Sequence, residues 1–164
     1  MKRRILVIDD DVSVRDALKK ILNTSGYSVQ LASDGREGAD SLAQDKFDLL
    51  VLDLDLPEVS GFDILDIVAE RDASLPIVIL TGMAGQCEAG SVAGADALLE
   101  KPPDVWLLLN TIERLLGETS AERLERLAHG PPPPHPVQFP QRTSQLLWRT
   151  NVHPRNRSLP RNSA

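Results

Sequence analysis

Carboxylates close two short apolar runs in this sequence. Ile5-Leu6-Val7-Ile8 stops at Asp9-Asp10-Asp11, and the almost continuously apolar stretch from Phe47 to Leu52 stops at Asp53. Asp55, Pro57 and Gly61 follow in a turn-forming segment. Two further runs end in groups that complement acids: Ile77-Val78-Ile79-Leu80 in Thr81-Gly82, and Ala97-Leu98-Leu99 in Glu100-Lys101-Pro102-Pro103. Carboxylates such as Asp9, Asp10 and Asp53 sharing one cleft repel, so they either raise each other's pKa or recruit a cation. With oxygen ligands alone the natural guest is a hard divalent ion such as Mg2+, which keeps several waters and leaves a position for a phosphoryl oxygen. Lys101 and the Thr81 hydroxyl would meet the other phosphoryl oxygens. That set supplies a nucleophile, charge neutralisation and positioning, which in-line phosphoryl transfer requires. Taken singly, each residue is an ordinary solvated group closing a strand. Together they form a joint pattern: acids after the first and third strands, a hydroxyl after the fourth, lysine with proline after the fifth.

Only strands running in the same direction bring such ends to one edge. The remaining elements fit that demand. Val14, Ala17, Leu18, Ile21 and Leu22 repeat at helical spacing, with Asp11 or Ser13 as caps and Gly26 as terminator. Tyr27 to Ala32 reads as a second strand, Asp34-Gly35 as a turn, and Arg36 to Gln44 as a helix with Ala39 and Leu42 turned inward. After Gly61, residues Phe62, Ile64, Leu65, Ile67 and Val68 give the apolar part of a third helix. Gly85, Gly90 and Gly94 weaken the next segment, predicting a short and mobile fourth helix. From Asp104, an apolar stripe of Val105, Leu108, Leu109, Ile112, Leu115 and Leu116 predicts a long helix stopping at Gly117. Thr119 with Glu122 makes a capping box for a further turn or two, Ala121 to Ala128. Strand-then-helix repetition predicts an α/β fold, a flavodoxin-like doubly wound sheet of five parallel strands. The strand order 2-1-3-4-5 follows from that fold class alone.

The 164 residues suit one domain with an appendage, since a single core is comfortable at about 100–150 residues. No apolar run reaches the roughly 18 residues of a membrane helix, and no leader pattern is present, so the expected location is cytoplasmic. Cys87 is the single cysteine, which excludes an intramolecular disulfide framework and reads as a packed or incidental thiol. All 24 acids lie in residues 1–129 against 13 lysines and arginines, a net −11, whereas the remainder carries five arginines and no acid. The folded part should therefore repel nucleic acid. From Gly130 the proline-rich composition predicts a disordered tail. Partner docking through Pro131–Pro136 or Leu146–Trp148, and nucleic-acid contact by its arginines, are the other readings of this tail. The expected division is 1–118, 119–129 as a helical extension, and 130–164 as tail. No helix-turn-helix pattern appears, so no DNA-binding domain is expected.

On Val7-Ile8-Asp9-Asp10-Asp11, Leu52-Asp53-Leu54-Asp55-Leu56-Pro57 with Gly61, Leu80-Thr81-Gly82, Gly94-Ala95-Asp96 and Lys101-Pro102, the chain resembles the receiver domains of bacterial two-component response regulators. The resemblance covers about residues 3–117. It implies that Asp53 is the phosphoacceptor, receiving a phosphoryl group from a histidine kinase or histidine phosphotransfer protein. It further implies Mg2+ held by the carboxylates of Asp10 and Asp53, by Asp9 largely through water, and by the backbone carbonyl of Asp55. Thr81 becomes the switch hydroxyl and Lys101 the cation bonded to the phosphoryl group, with its bond to Pro102 cis. The domain would be a phosphoacceptor that assists its own phosphorylation and dephosphorylation, not an enzyme, and would signal to a downstream protein target. A homodimer through the surface between the fourth helix and the helix after Asp104 is implied by family analogy alone. Leu98 stands where the family commonly has an aromatic residue coupled to the switch hydroxyl, and Pro103 where phenylalanine is frequent. Two rival readings remain at this level: a phosphorylation-independent adaptor of the same fold, and a Mg2+-dependent phosphatase with Asp55 as its second acid. The latter lacks a cap or substrate-binding insertion between its short elements.

Overall fold

The computed structural model describes residues 2–82 and 94–128. Its elements are β1 (Arg4–Ile8), α1 (Val12–Thr24), β2 (Ser28–Ala32), α2 (Gly35–Gln44), β3 (Leu49–Asp53), α3 (Gly61–Arg71), β4 (Ile77–Thr81), β5 (Ala97–Glu100), α4 (Val105–Gly117) and α5 (Ser120–Ala128). The five strands are all parallel, in the order β2-β1-β3-β4-β5. This is the flavodoxin-like doubly wound sheet that the sequence predicts. The expected fourth helix, Cys87 and the proline-rich tail lie outside the described residues.

Alternation along each strand sends successive side chains to opposite faces, and both faces are apolar. Leu6, Ile8, Leu50, Leu52, Ile77 and Ile79 pack with Ile64, Leu65 and Val68 of α3. Ile5, Val7, Leu49, Val51, Val78 and Leu80 pack instead with Leu18 and Leu22 of α1 and Leu108, Ile112 and Leu115 of α4. Each such side chain, fully buried, contributes roughly 1.5–3 kcal/mol. Leu98 of β5 is half-buried against the first cluster.

Helix starts follow the capping chemistry in the sequence. Asp11 accepts from the amides of Ser13 and Val14, which hold its carboxyl below the ordinary value. Ser60 and Asp63 form a reciprocal capping box on α3. Asp34 is not a free turn residue: it caps α2 by accepting from Glu37 N–H, so the helix begins at Gly35. Two large side chains counted in apolar stripes face solvent, Phe62 and Val105. Both occupy the first two positions of their helices, where the periodic face has not yet reached the sheet. The Thr119–Glu122 box is present, and the helix it starts runs for 9 residues. Among the described residues, no helix is long and apolar enough to cross a membrane.

Candidate functional site

Parallel register alone brings the predicted residues to the C-terminal edge of the sheet. Ile8 pairs with Leu52, so Asp9 and Asp53 emerge side by side. Asp53 pairs with Leu80, so Thr81 ends its strand one residue further on. Thr81 pairs with Glu100, and the Lys101 amide donates to the Thr81 carbonyl at 3.0 Å. The Lys101–Pro102 peptide bond is cis.

The lysine closes the arrangement. Its Nζ lies 2.6 Å from Asp53 Oδ2 and 2.7 Å from Asp9 Oδ2. The second oxygens of both acids accept main-chain amides: Asp11 N–H donates to Asp9 Oδ1 at 2.9 Å, and Asp55 N–H to Asp53 Oδ1 at 3.1 Å. Asp9, Asp53 and Thr81 are buried, whereas the side chains of Asp10 and Asp55 are exposed. Burial pushes the Asp9 carboxyl above its ordinary value, against the pull of Lys101 and the Asp11 amide and with the help of the Asp53 charge. For Lys101 burial acts the other way, but the hydrogen bonds and charges of Asp53 and Asp9 outweigh it and hold the ammonium above its ordinary value.

A divalent cation fits these residues. Asp9, Asp10 and Asp53 each offer a carboxylate oxygen, all within 4.8 Å of one another. Asp9 Oδ2 is buried 2.7 Å from the Lys101 ammonium and has no further partner among the described residues. An all-oxygen set with one under-satisfied buried acceptor suits a hard ion that retains water. Chemically, a buried carboxylate beside a cluster of cation-suited oxygens and an ammonium is a set that can act on an anionic group.

Other contributors were not singled out by sequence reasoning. Arg15, one turn into α1, donates from Nη1 to the Asp9 carbonyl at 2.6 Å. Its spacing after Asp11 is the signal, because helical side chains reach back towards the preceding turn. Gly61 was read as a turn residue, but its role is close approach: a Cβ there would collide with the Asp53 carbonyl oxygen and lie 2.6 Å from Leu54 Cα. Glu58, at φ 63°, forms the tight turn in which Val59 N–H donates to the Pro57 carbonyl at 2.8 Å.

Residues 5–113 match the family described as response regulator receiver domain. The response regulator MprA of Mycolicibacterium vanbaalenii is 41% identical over 124 residues, covering 74% of this chain and 54% of that protein. MprA of Mycobacterium tuberculosis is 42% identical over the same length. The chain thus spans about half the length of the curated relatives it matches. Among solved structures, a CheY-like receiver domain protein from Methanospirillum hungatei shares 28% identity at a TM-score of 0.66, covering 76% of this chain and 99% of that one. TrrA from Thermotoga maritima, solved in complex with Mg2+ and BeF, shares 27% identity at a TM-score of 0.65, covering 69% and 98%.

Proposed function

This chain belongs to the response regulator receiver domain family of two-component signalling, and from that premise we propose that Asp53 accepts a phosphoryl group in a Mg2+-dependent reaction. The donor is a phosphohistidine on a histidine kinase or histidine phosphotransfer protein. A carboxylate oxygen of Asp53 attacks phosphorus, the phosphorus–nitrogen bond breaks, and the imidazole leaves with that electron pair. The product is an acyl phosphate, which water later hydrolyses. Asp9, Asp10 and Asp53 would hold the Mg2+, joined by the Asp55 backbone carbonyl. When bound, the ion neutralises charge on the transferring group.

The chain's own residues do the rest. Lys101, already 2.6 Å from Asp53, pairs with an oxygen of the incoming group. Thr81, at the end of the neighbouring strand, offers its hydroxyl to another. Added charge on Asp53 draws both inward, and the surface between β4 and α4 carries the change to a downstream protein partner. In this reading the domain is a phosphoacceptor without turnover of its own, acting in the cytoplasm. Residues 1–118 form its body, 119–129 an extension and 130–164 a tail.

The observation that carries this is the convergence of the Asp9, Asp10 and Asp53 oxygens within 4.8 Å beside the Lys101 ammonium. The test is intact mass after incubation with Mg2+ and acetyl phosphate, for the native chain and Asp53→Ala. One added phosphoryl group, absent from the variant and without Mg2+, is expected. No adduct together with no Mg2+ binding, followed through the exposed Trp106, would favour a phosphorylation-independent adaptor.

A further inference from the structure

We propose that the N-terminal edge of the sheet carries a guanidinium socket, and that Arg123 filling it makes residues 119–128 a docked, releasable helix. The socket lies at the opposite edge from Asp53. Its floor is Asp96, just before β5, whose side chain is wholly buried. Asp96 Oδ2 accepts the Ile77 amide at 2.7 Å, at the start of β4, which fixes a negative charge inside the protein. Arg123 of α5 reaches that same oxygen from Nε at 3.1 Å and from Nη2 at 2.8 Å. Its Nη1 donates to the Ala73 carbonyl, and Nη2 also to the Gly94 carbonyl at 3.4 Å.

A planar fork meeting a carboxylate and two carbonyls from separate segments is geometry that a guanidinium satisfies and an ammonium does not. Arg123 is 3% exposed, whereas every other described side chain of α5 is exposed, Leu124 by half. The docked face of this helix is therefore an ion pair and not an apolar stripe, among the described side chains. Its first turn is held by its own Thr119–Glu122 box, independent of the sheet. A helix of 9 residues is marginal in water on its own, so docking and helicity rise and fall together. β5 is bracketed by buried charge, with Arg123 paired to Asp96 before it and Lys101 paired to Asp53 after it.

Amide hydrogen exchange on the full chain tests the proposal, with β1 and β3 amides as the internal standard for global opening. In the native chain under mild denaturant, amides 121–128 are expected to exchange through a local opening, distinct from and easier than that of β1 and β3. In Arg123→Gln, amides 121–128 should exchange faster by about tenfold or more while β1 and β3 are unchanged. Three results would overturn it. One is native exchange of 121–128 only with the core; another is undiminished protection in Arg123→Gln. The last is an equal acceleration of the core in that variant, or its failure to fold, which would make Arg123 a support of the whole sheet.

Discussion

Gly61 and Lys101 set opposite kinds of constraint on Asp53. At Gly61 the constraint is space: backbone atoms of Asp53 and Leu54 occupy the position a Cβ would take, and backbone cannot swing aside as a long side chain can. Gly61→Ala is expected to destabilise by about 1–3 kcal/mol, read by urea unfolding, and to slow phosphoryl uptake by shifting the loop after Asp53. At Lys101 the constraint is charge. Lys101→Met leaves the buried carboxylates of Asp9 and Asp53 without their cation, at an expected cost of about 3 kcal/mol at pH 7 in the absence of Mg2+. Asp9, whose pKa is already raised, binds its proton more readily folded than unfolded. Its contribution to stability is thus present below the ordinary 3.8 and lost as pH rises through the elevated folded value. The variant's deficit should accordingly shrink as pH falls from 7 towards 3.8. A deficit that stays constant over that range would place its origin elsewhere.

Between β1 and β3 the sign reverses. Asp48, just before β3, accepts the Arg4 amide at 2.7 Å and Arg3 Nη1 at 2.8 Å. Burial pushes its carboxyl up, but these bonds and the charges of both arginines outweigh that and hold it below the ordinary 3.8. Stability from this acid is therefore present above 3.8 and lost as pH falls through the depressed folded value. Its side chain is 32% exposed, so solvent screening keeps the contribution to about 1 kcal/mol or less. Asp48→Asn should be slightly less stable than the native chain at pH 7, and the two should converge in urea midpoint as pH is taken below 3.8. A gap that persists in acid would mean that shape, not charge, joins these strands.

For the molecule as a whole, a cation bound only by the folded state must raise its stability. At a hundredfold excess over its dissociation constant, Mg2+ should add about 2.7 kcal/mol, seen as a rise of several degrees in the melting temperature. Asp10→Ala should abolish most of that rise while leaving the Mg2+-free melting temperature near native, because Asp10 is exposed and serves no core contact among the described residues. A rise that survives in Asp10→Ala would locate the ion elsewhere on a surface whose first 129 residues carry a net −11.

By itself the sequence determined the β/α alternation, the Thr119–Glu122 capping box and the residues of the acidic edge. Apolar runs that stop abruptly at Asp9, Asp53, Thr81 and Lys101 encode both a strand and what its end presents. Side-chain period and local capping are properties of neighbouring residues, so they are legible without a fold. Tertiary structure alone decided what depends on residues distant in the chain. Lys101 lies 48 positions from Asp53, and only the β3-β4-β5 register joins them. Gly61 read as a turn because close approach to the Asp53 carbonyl leaves no trace in local sequence. Arg123 carried no signal in the sequence, standing among several charged residues of the predicted Ala121 to Ala128 stretch. Its burial depends on a carboxylate 27 positions earlier and a carbonyl 50 positions earlier, and their meeting is set by packing alone.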